Sequence, residues 1–89
     1  MEKRNIAVIN KLGLHARAAA KFVTLASSFE SEIRLCRDTQ EVNGKSIMGV
    51  MMLAAARGTQ LTMTAEGPDE INALDELEAL FKNRFGESE

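Results

Sequence analysis

A chain of 89 residues carrying a formal net charge of -2 has room for one domain, 1–89, and buries only roughly 60–65% of its unfolded surface. It has no basic excess to draw nucleic acid and no apolar run long enough to span a membrane, so neither is an expected partner. Its one cysteine, Cys36, allows no internal disulfide, and Met1–Asn5 is followed by too few apolar residues for a signal peptide; a reducing, cytoplasmic setting is expected.

The elements are read in chain order. Arg4–Asn10, with Ile6, Ala7, Val8 and Ile9, predicts a short strand. Lys11–Leu14 turns the chain into a helix from Ala16 to about Ser28, whose apolar stripe is Ala19, Phe22, Val23, Ala26 and then Phe29, with Lys21 and Thr24 on the other side. Glu32–Arg37 alternates as a half-buried strand, Asp38–Gln40 turns, and Glu41–Asn43 returns beside it. Ser46 reads as the N-cap of a short helix from Ile47 to about Leu53, with Gly58 marking its stop. Leu61, Met63 and Ala65 alternate with polar residues as a fourth strand. Pro68-Asp69-Glu70 then opens a last helix with Ile71, Leu74, Leu77, Leu80, Phe81 and Phe85 as its buried face, and the residues from Gly86 onward are expected to fray. The order β-α-β-β-α-β-α predicts one sheet with all helices on one face and water on the other.

Charge is unevenly spread. Lys3, Arg4, Lys11, Arg17 and Lys21 crowd the N-terminal quarter and most acids lie toward the C-terminus, which predicts a positive face near His15 suited to an acidic partner. His15 is the only histidine, in Gly13-Leu14-His15-Ala16-Arg17. At a helix N-cap it would meet unpaired N–H groups and the positive end of the dipole, a place for an anion such as a phosphoryl group, with the Arg17 fork close by. The plainer alternative is a surface histidine that merely starts the helix.

Other chemistries fail on spacing. One His and one Cys about twenty residues apart cannot close a structural metal site. Nothing places Ser27, Ser28 or Ser46 in a triad, so a small hydrolase with His15 as base has no nucleophile. Gly44-Lys45-Ser46 resembles the end of a phosphate-binding loop, but Thr39 stands where that loop needs a glycine. A helix of barely two turns cannot turn Ile47, Met48, Met51 and Met52 all inward, so part of this group is expected to form an adaptable apolar surface patch. A rival of another class is thus an interaction module that binds through Met48 and Met51 and leaves His15 idle.

Three motifs, Gly13-Leu14-His15-Ala16-Arg17, Asn43-Gly44-Lys45-Ser46-Ile47-Met48-Gly49-Val50-Met51 and Ala56-Arg57-Gly58, together resemble the HPr family of phosphocarriers from the bacterial phosphoenolpyruvate-dependent sugar phosphotransferase system. The resemblance implies an α+β open-faced β-sandwich, a four-stranded antiparallel sheet covered by three helices. It implies that His15 accepts a phosphoryl group on Nδ1 from phosphorylated Enzyme I and passes it to the histidine of IIA domains, with Arg17 holding the phosphate. It further implies regulatory phosphorylation of Ser46 by an HPr kinase, and a docking patch of Ile47, Met48 and Met51 with Ala16 and Ala20. On this reading the chain is a monomeric carrier without cofactor or metal, a substrate of enzymes and not itself a catalyst. The nitrogen-related NPr branch is the alternative within the family. Ala18 departs from the proline that family members commonly carry after the arginine, which predicts a looser first helical turn in an intact carrier.

Overall fold

A computed structural model describes residues 1–88 of the chain. Four strands, β1 (Glu2–Ala7), β2 (Glu32–Arg37), β3 (Gln40–Asn43) and β4 (Gln60–Glu66), form one antiparallel sheet in the order β1-β4-β2-β3. Three helices, α1 (Ala16–Ser27), α2 (Ile47–Met52) and α3 (Glu70–Lys82), join them. This is the expected α+β open-faced sandwich.

Alternation decides which sheet face is covered. Ile33 and Leu35 of β2 and Leu61, Met63 and Ala65 of β4 are buried against the helices, while Thr62 and Thr64 point the other way. On the helix side the core is closed by Ala18, Ala19, Phe22, Val23 and Ala26 of α1, Val50 of α2, and Ala73, Leu74, Leu77 and Phe81 of α3. Phe81 meets Phe22 edge-on at 5.8 Å between ring centroids and Phe85 at 4.9 Å, tying α1, α3 and the segment after α3 into one aromatic cluster.

Several boundaries differ from expectation. β1 starts at Glu2 and ends at Ala7, not at Arg4 and Asn10. Glu2, Arg4 and Ile6 share the helix side of this edge strand, and Arg4 turns its charge into ion pairs with Asp75 (2.6 Å) and Glu78 (3.0 Å) of α3. The two residues added at the start of β1, Glu2 and Lys3, are charged and pair with Ala65 and Thr64 of β4, which hydropathy does not show. The chain leaves α2 through Leu53 and Ala54 (φ 49°), so Gly58 does not stop that helix; its N–H donates to the Val8 carbonyl at 2.7 Å, closing the loop onto the end of β1. The turn between β2 and β3 is the two-residue Asp38-Thr39, with Asp38 at φ 54°. Ile71 is 58% exposed and takes no part in the buried face of α3, where Ala73 substitutes; Leu80 is only partly buried. Ile71 sits in the first turn of α3, to one side of the Leu74, Leu77 and Phe81 stripe.

The largest departure concerns the C-terminus. Gly86, expected to fray, closes a 3-10 turn, Arg84–Gly86, and Phe85, expected on the buried face of α3, lies in that turn beyond the helix end at Lys82. Phe85 is buried at φ 55°, its carbonyl accepts a 2.6 Å hydrogen bond from Lys21 Nζ, and Glu87 is bonded in turn to Asn10 and His15. Glu89 of that expected frayed end lies outside the described residues.

Candidate phosphoryl site

Gly13 sets the approach to His15. Its φ of +68° lies in the left-handed region, and a Cβ there would sit 2.5 Å from the Ala55 carbonyl oxygen. That oxygen accepts a hydrogen bond from the Leu14 backbone N–H at 2.9 Å, so the turn is pinned to the loop that follows α2. Leu14 is buried, and His15 emerges as the N-cap of α1 in extended conformation (φ -73°, ψ 178°). Its carbonyl accepts from the Ala19 N–H at 2.8 Å, but its side chain makes no capping hydrogen bond.

The ring lies over a hollow of about 610 Å³ lined by Lys11, Leu12, Ala16, Arg17, Glu87 and Ser88. Arg17 is exposed in the first turn of α1 and, among the described residues, is tied to no carboxylate. The expected positive face is smaller than the sequence suggests. Arg4 is spent on α3 and Lys3 faces the open side of the sheet, leaving Lys11, Arg17 and Lys21 near the histidine.

Glu87 and Asn10 are the residues that sequence reasoning missed. Asn10 is fully buried; its Nδ2 donates to the Gly13 carbonyl at 2.8 Å and to Glu87 Oε1 at 3.1 Å. The other carboxylate oxygen of Glu87 lies 2.5 Å from His15 Nε2. These contacts, led by that with His15, hold the Glu87 carboxyl below the usual carboxylate range. The one available signal was a lone asparagine at the end of an apolar run.

Ser46 caps α2, its Oγ accepting the Gly49 N–H at 3.1 Å. Ile47, Met48, Met51 and Met52 are all exposed, Met48 at 74%, and only Val50 of α2 is buried. The apolar surface of α2 is therefore larger than the partial patch expected from its length. α2 packs on α1, where Ala16 is exposed and Ala20 half-buried. Cys36 donates weakly to Glu41 at 3.5 Å, and partial burial, then Glu41, pushes its thiol up, which makes it a poor nucleophile. Among the described residues no three His, Cys, Asp or Glu side chains gather where a metal ion could sit, and no helix is long and apolar enough to cross a membrane.

The profile of the family described as PTS HPr component phosphorylation site matches residues 2–83. The phosphocarrier protein HPr of Cupriavidus necator is 54% identical over 89 residues, covering all of both chains. The solved structure of HPr-C-His from Thermoanaerobacter tengcongensis superposes with a TM-score of 0.97 at 45% identity, again over all of both chains. An HPr from the same organism, solved as a dimer, gives a TM-score of 0.79 at 46% identity over 98% of this chain and 100% of that one. With motifs, fold and relatives in agreement over nearly its whole length, the chain belongs to the HPr family of phosphocarrier proteins of the phosphotransferase system.

Proposed function

We propose that His15 carries a phosphoryl group on Nδ1, taken from phosphorylated Enzyme I and given to the histidine of IIA domains in sugar uptake. The observation that carries this reading is the placement of His15: an N-cap whose ring is not engaged in capping, over a hollow shared with Arg17. Phosphate oxygens there would meet the guanidinium and the N-terminal end of α1, both favourable to a dianion. The group would remain at the surface, and a P–N bond that is neither buried nor tightly held suits a carrier that must release its load.

The exposed Ile47, Met48 and Met51, with Ala16 and Ala20 on α1, form the docking face in this proposal. Donor and acceptor use it in turn, which calls for a modest and short-lived interface and suits a monomer, 1–89, as the working form. Ser46 at the start of α2 is the proposed target of an HPr kinase. A phosphate there would set a dianion beside the methionines and oppose an acidic partner without any large change of shape. The matching segment Ser46-Ile47-Met48-Gly49 favours the sugar branch over the NPr branch.

The test is intact-mass analysis after incubation with phosphoenolpyruvate and a trace of Enzyme I. One acid-labile phosphoryl group on the native chain and none on His15→Ala is the expected result. No uptake beside an active Enzyme I control would reduce the chain to an interaction module built on Met48 and Met51.

A further inference from the structure

We propose that Glu87 is a positioning residue for the phosphoryl acceptor: it fixes the proton of His15 on Nε2 and so presents Nδ1 as the nucleophile. The inference deepens the carrier reading and rests on it for the transfer step, although its first part concerns the unloaded protein alone.

The argument begins with acceptor capacity. An ionised carboxylate only accepts hydrogen bonds, and the Glu87 carboxyl is held in that form by His15 and Asn10. An oxygen of this group lies 2.5 Å from His15 Nε2, so Nε2 must be the donor. A neutral imidazole carries one N–H, which leaves the lone pair on Nδ1. Lys11 and Arg17, the other ionisable side chains of the hollow among the described residues, are donors and cannot impose this tautomer. The logic is that of a carboxylate orienting a catalytic histidine.

Glu87 is a held group and not a drifting tail. Asn10, fully buried, grips its second oxygen at 3.1 Å. Two residues earlier Phe85 is buried against Phe81, with its carbonyl bonded to Lys21 at 2.6 Å. The Glu87 backbone N–H donates to the Arg84 carbonyl at 2.9 Å. The carboxylate is thus fixed at its base and at both oxygens.

The transfer step balances without proton movement. The Nδ1 lone pair attacks phosphorus on the donor's phosphohistidine, the P–Nδ1 bond forms, and the donor's P–N bond breaks with its electron pair returning to the donor ring. His15 becomes an imidazolium still protonated at Nε2, and the Glu87 carboxylate lies against the charge that develops. Delivery to the next protein reverses each change, so the proton stays on Nε2 throughout.

Two variants test this: Glu87→Gln and Glu87→Ala, with the His15 ring labelled with 15N. In Glu87→Gln the amide oxygen can take the Asn10 donor while its NH2 faces Nε2, so the spectrum should show the proton moved to Nδ1. Glu87→Ala should give a mixture of tautomers, against Nε2–H alone in the native chain. With Enzyme I, kcat for phosphoryl acceptance should fall on the order of tenfold in both while KM stays within about twofold, a split that loss of docking would not give. Unchanged 15N shifts in both variants, or acceptance by both at the native kcat, overturns the proposal. If the native chain takes no phosphoryl group at all, the carrier reading falls, and the spectra still decide whether Glu87 sets the tautomer.

Discussion

Glu87 and His15, 72 residues apart in sequence, are joined by a 2.5 Å contact that makes the C-terminal segment part of the site. The segment is held there by Phe85, whose ring completes the edge-on series Phe22, Phe81, Phe85. Its backbone at φ 55° costs on the order of 1 kcal/mol, which burial of the ring more than offsets.

Truncating that anchor should therefore be expensive. Phe85→Ala is expected to lower stability by about 3–5 kcal/mol, as for a buried aromatic elsewhere. Ile71→Ala, at a site 58% exposed on α3, should change it by less than about 0.5 kcal/mol. Urea unfolding of both checks the pair. A loss at Ile71 as large as that at Phe85 would mean that the sequence expectation for this face was right.

The fold was legible where one physical rule acts alone. Alternation in Glu32–Arg37 and in Leu61–Glu66 marks sheets with one wet face, and the alanine-rich stripe from Ala19 marks α1. The start of β1 was not legible because Glu2 and Lys3 are charged and are drawn into the strand by pairing with Ala65 and Thr64 of β4, a tertiary contact that no local pattern shows. At the site, His15, Arg17 and Ser46 stand on local signals: a glycine turn, a helix start, an N-cap. Glu87 does not, since a glutamate after Gly86 near a chain end looks like a solvated tail. Only packing of Phe85, distant in sequence from Asn10 and His15, brings the carboxylate to the ring.

Ser46 offers a test that separates a cap from a charge. Its hydroxyl oxygen satisfies the Gly49 N–H, so Ser46→Ala should cost about 1 kcal/mol in urea unfolding. Asp is as good a cap as Ser, so Ser46→Asp should restore that loss to within about 0.5 kcal/mol. It also places a negative charge beside Met48 and Met51, and phosphoryl acceptance from Enzyme I should slow by several-fold at low salt and recover partly as salt is added. Full-rate acceptance by Ser46→Asp would sink the electrostatic account of control at this residue.

Acid should weaken the fold through a small group of carboxylates. Asp69 accepts hydrogen bonds from the Ser31 hydroxyl and from the Glu30 and Ser31 backbone N–H groups, and these hold its carboxyl below the ordinary range. Glu70, bonded to the Gly67 N–H, and Glu78, bonded to Arg4, are lowered as well. A carboxyl depressed in the folded state binds its proton more weakly there than in the unfolded chain. Its contribution is therefore complete above the ordinary carboxylate range and is lost as pH falls through that range to the folded value. The melting temperature should hold steady near neutrality and drop between about pH 5 and pH 2. Asp69→Asn should melt lower at neutral pH and show a shallower acid slope; an unchanged slope would remove Asp69 from this group.

Ala18 stands where the resemblance leads to the expectation of a proline, and the structure shows what an exchange there involves. Ala19 is the residue whose N–H bonds back to the His15 carbonyl, at 2.8 Å. Ala18 lies one residue earlier, in the first turn of α1, where helical N–H groups have no intrahelical acceptor. A proline there gives up no helix hydrogen bond and fixes φ at a helical value, so its main effect is to restrict the unfolded chain. The cost is local: Ala18 is fully buried, and the added ring atoms must fit beside the core. The entropic gain is expected to prevail, giving Ala18→Pro about 0.5–1 kcal/mol of extra stability in urea unfolding with phosphoryl acceptance on His15 intact. Destabilisation with retained acceptance would show that the first turn has closed around alanine. Loss of acceptance in a folded variant would show that the site needs the freedom alanine allows.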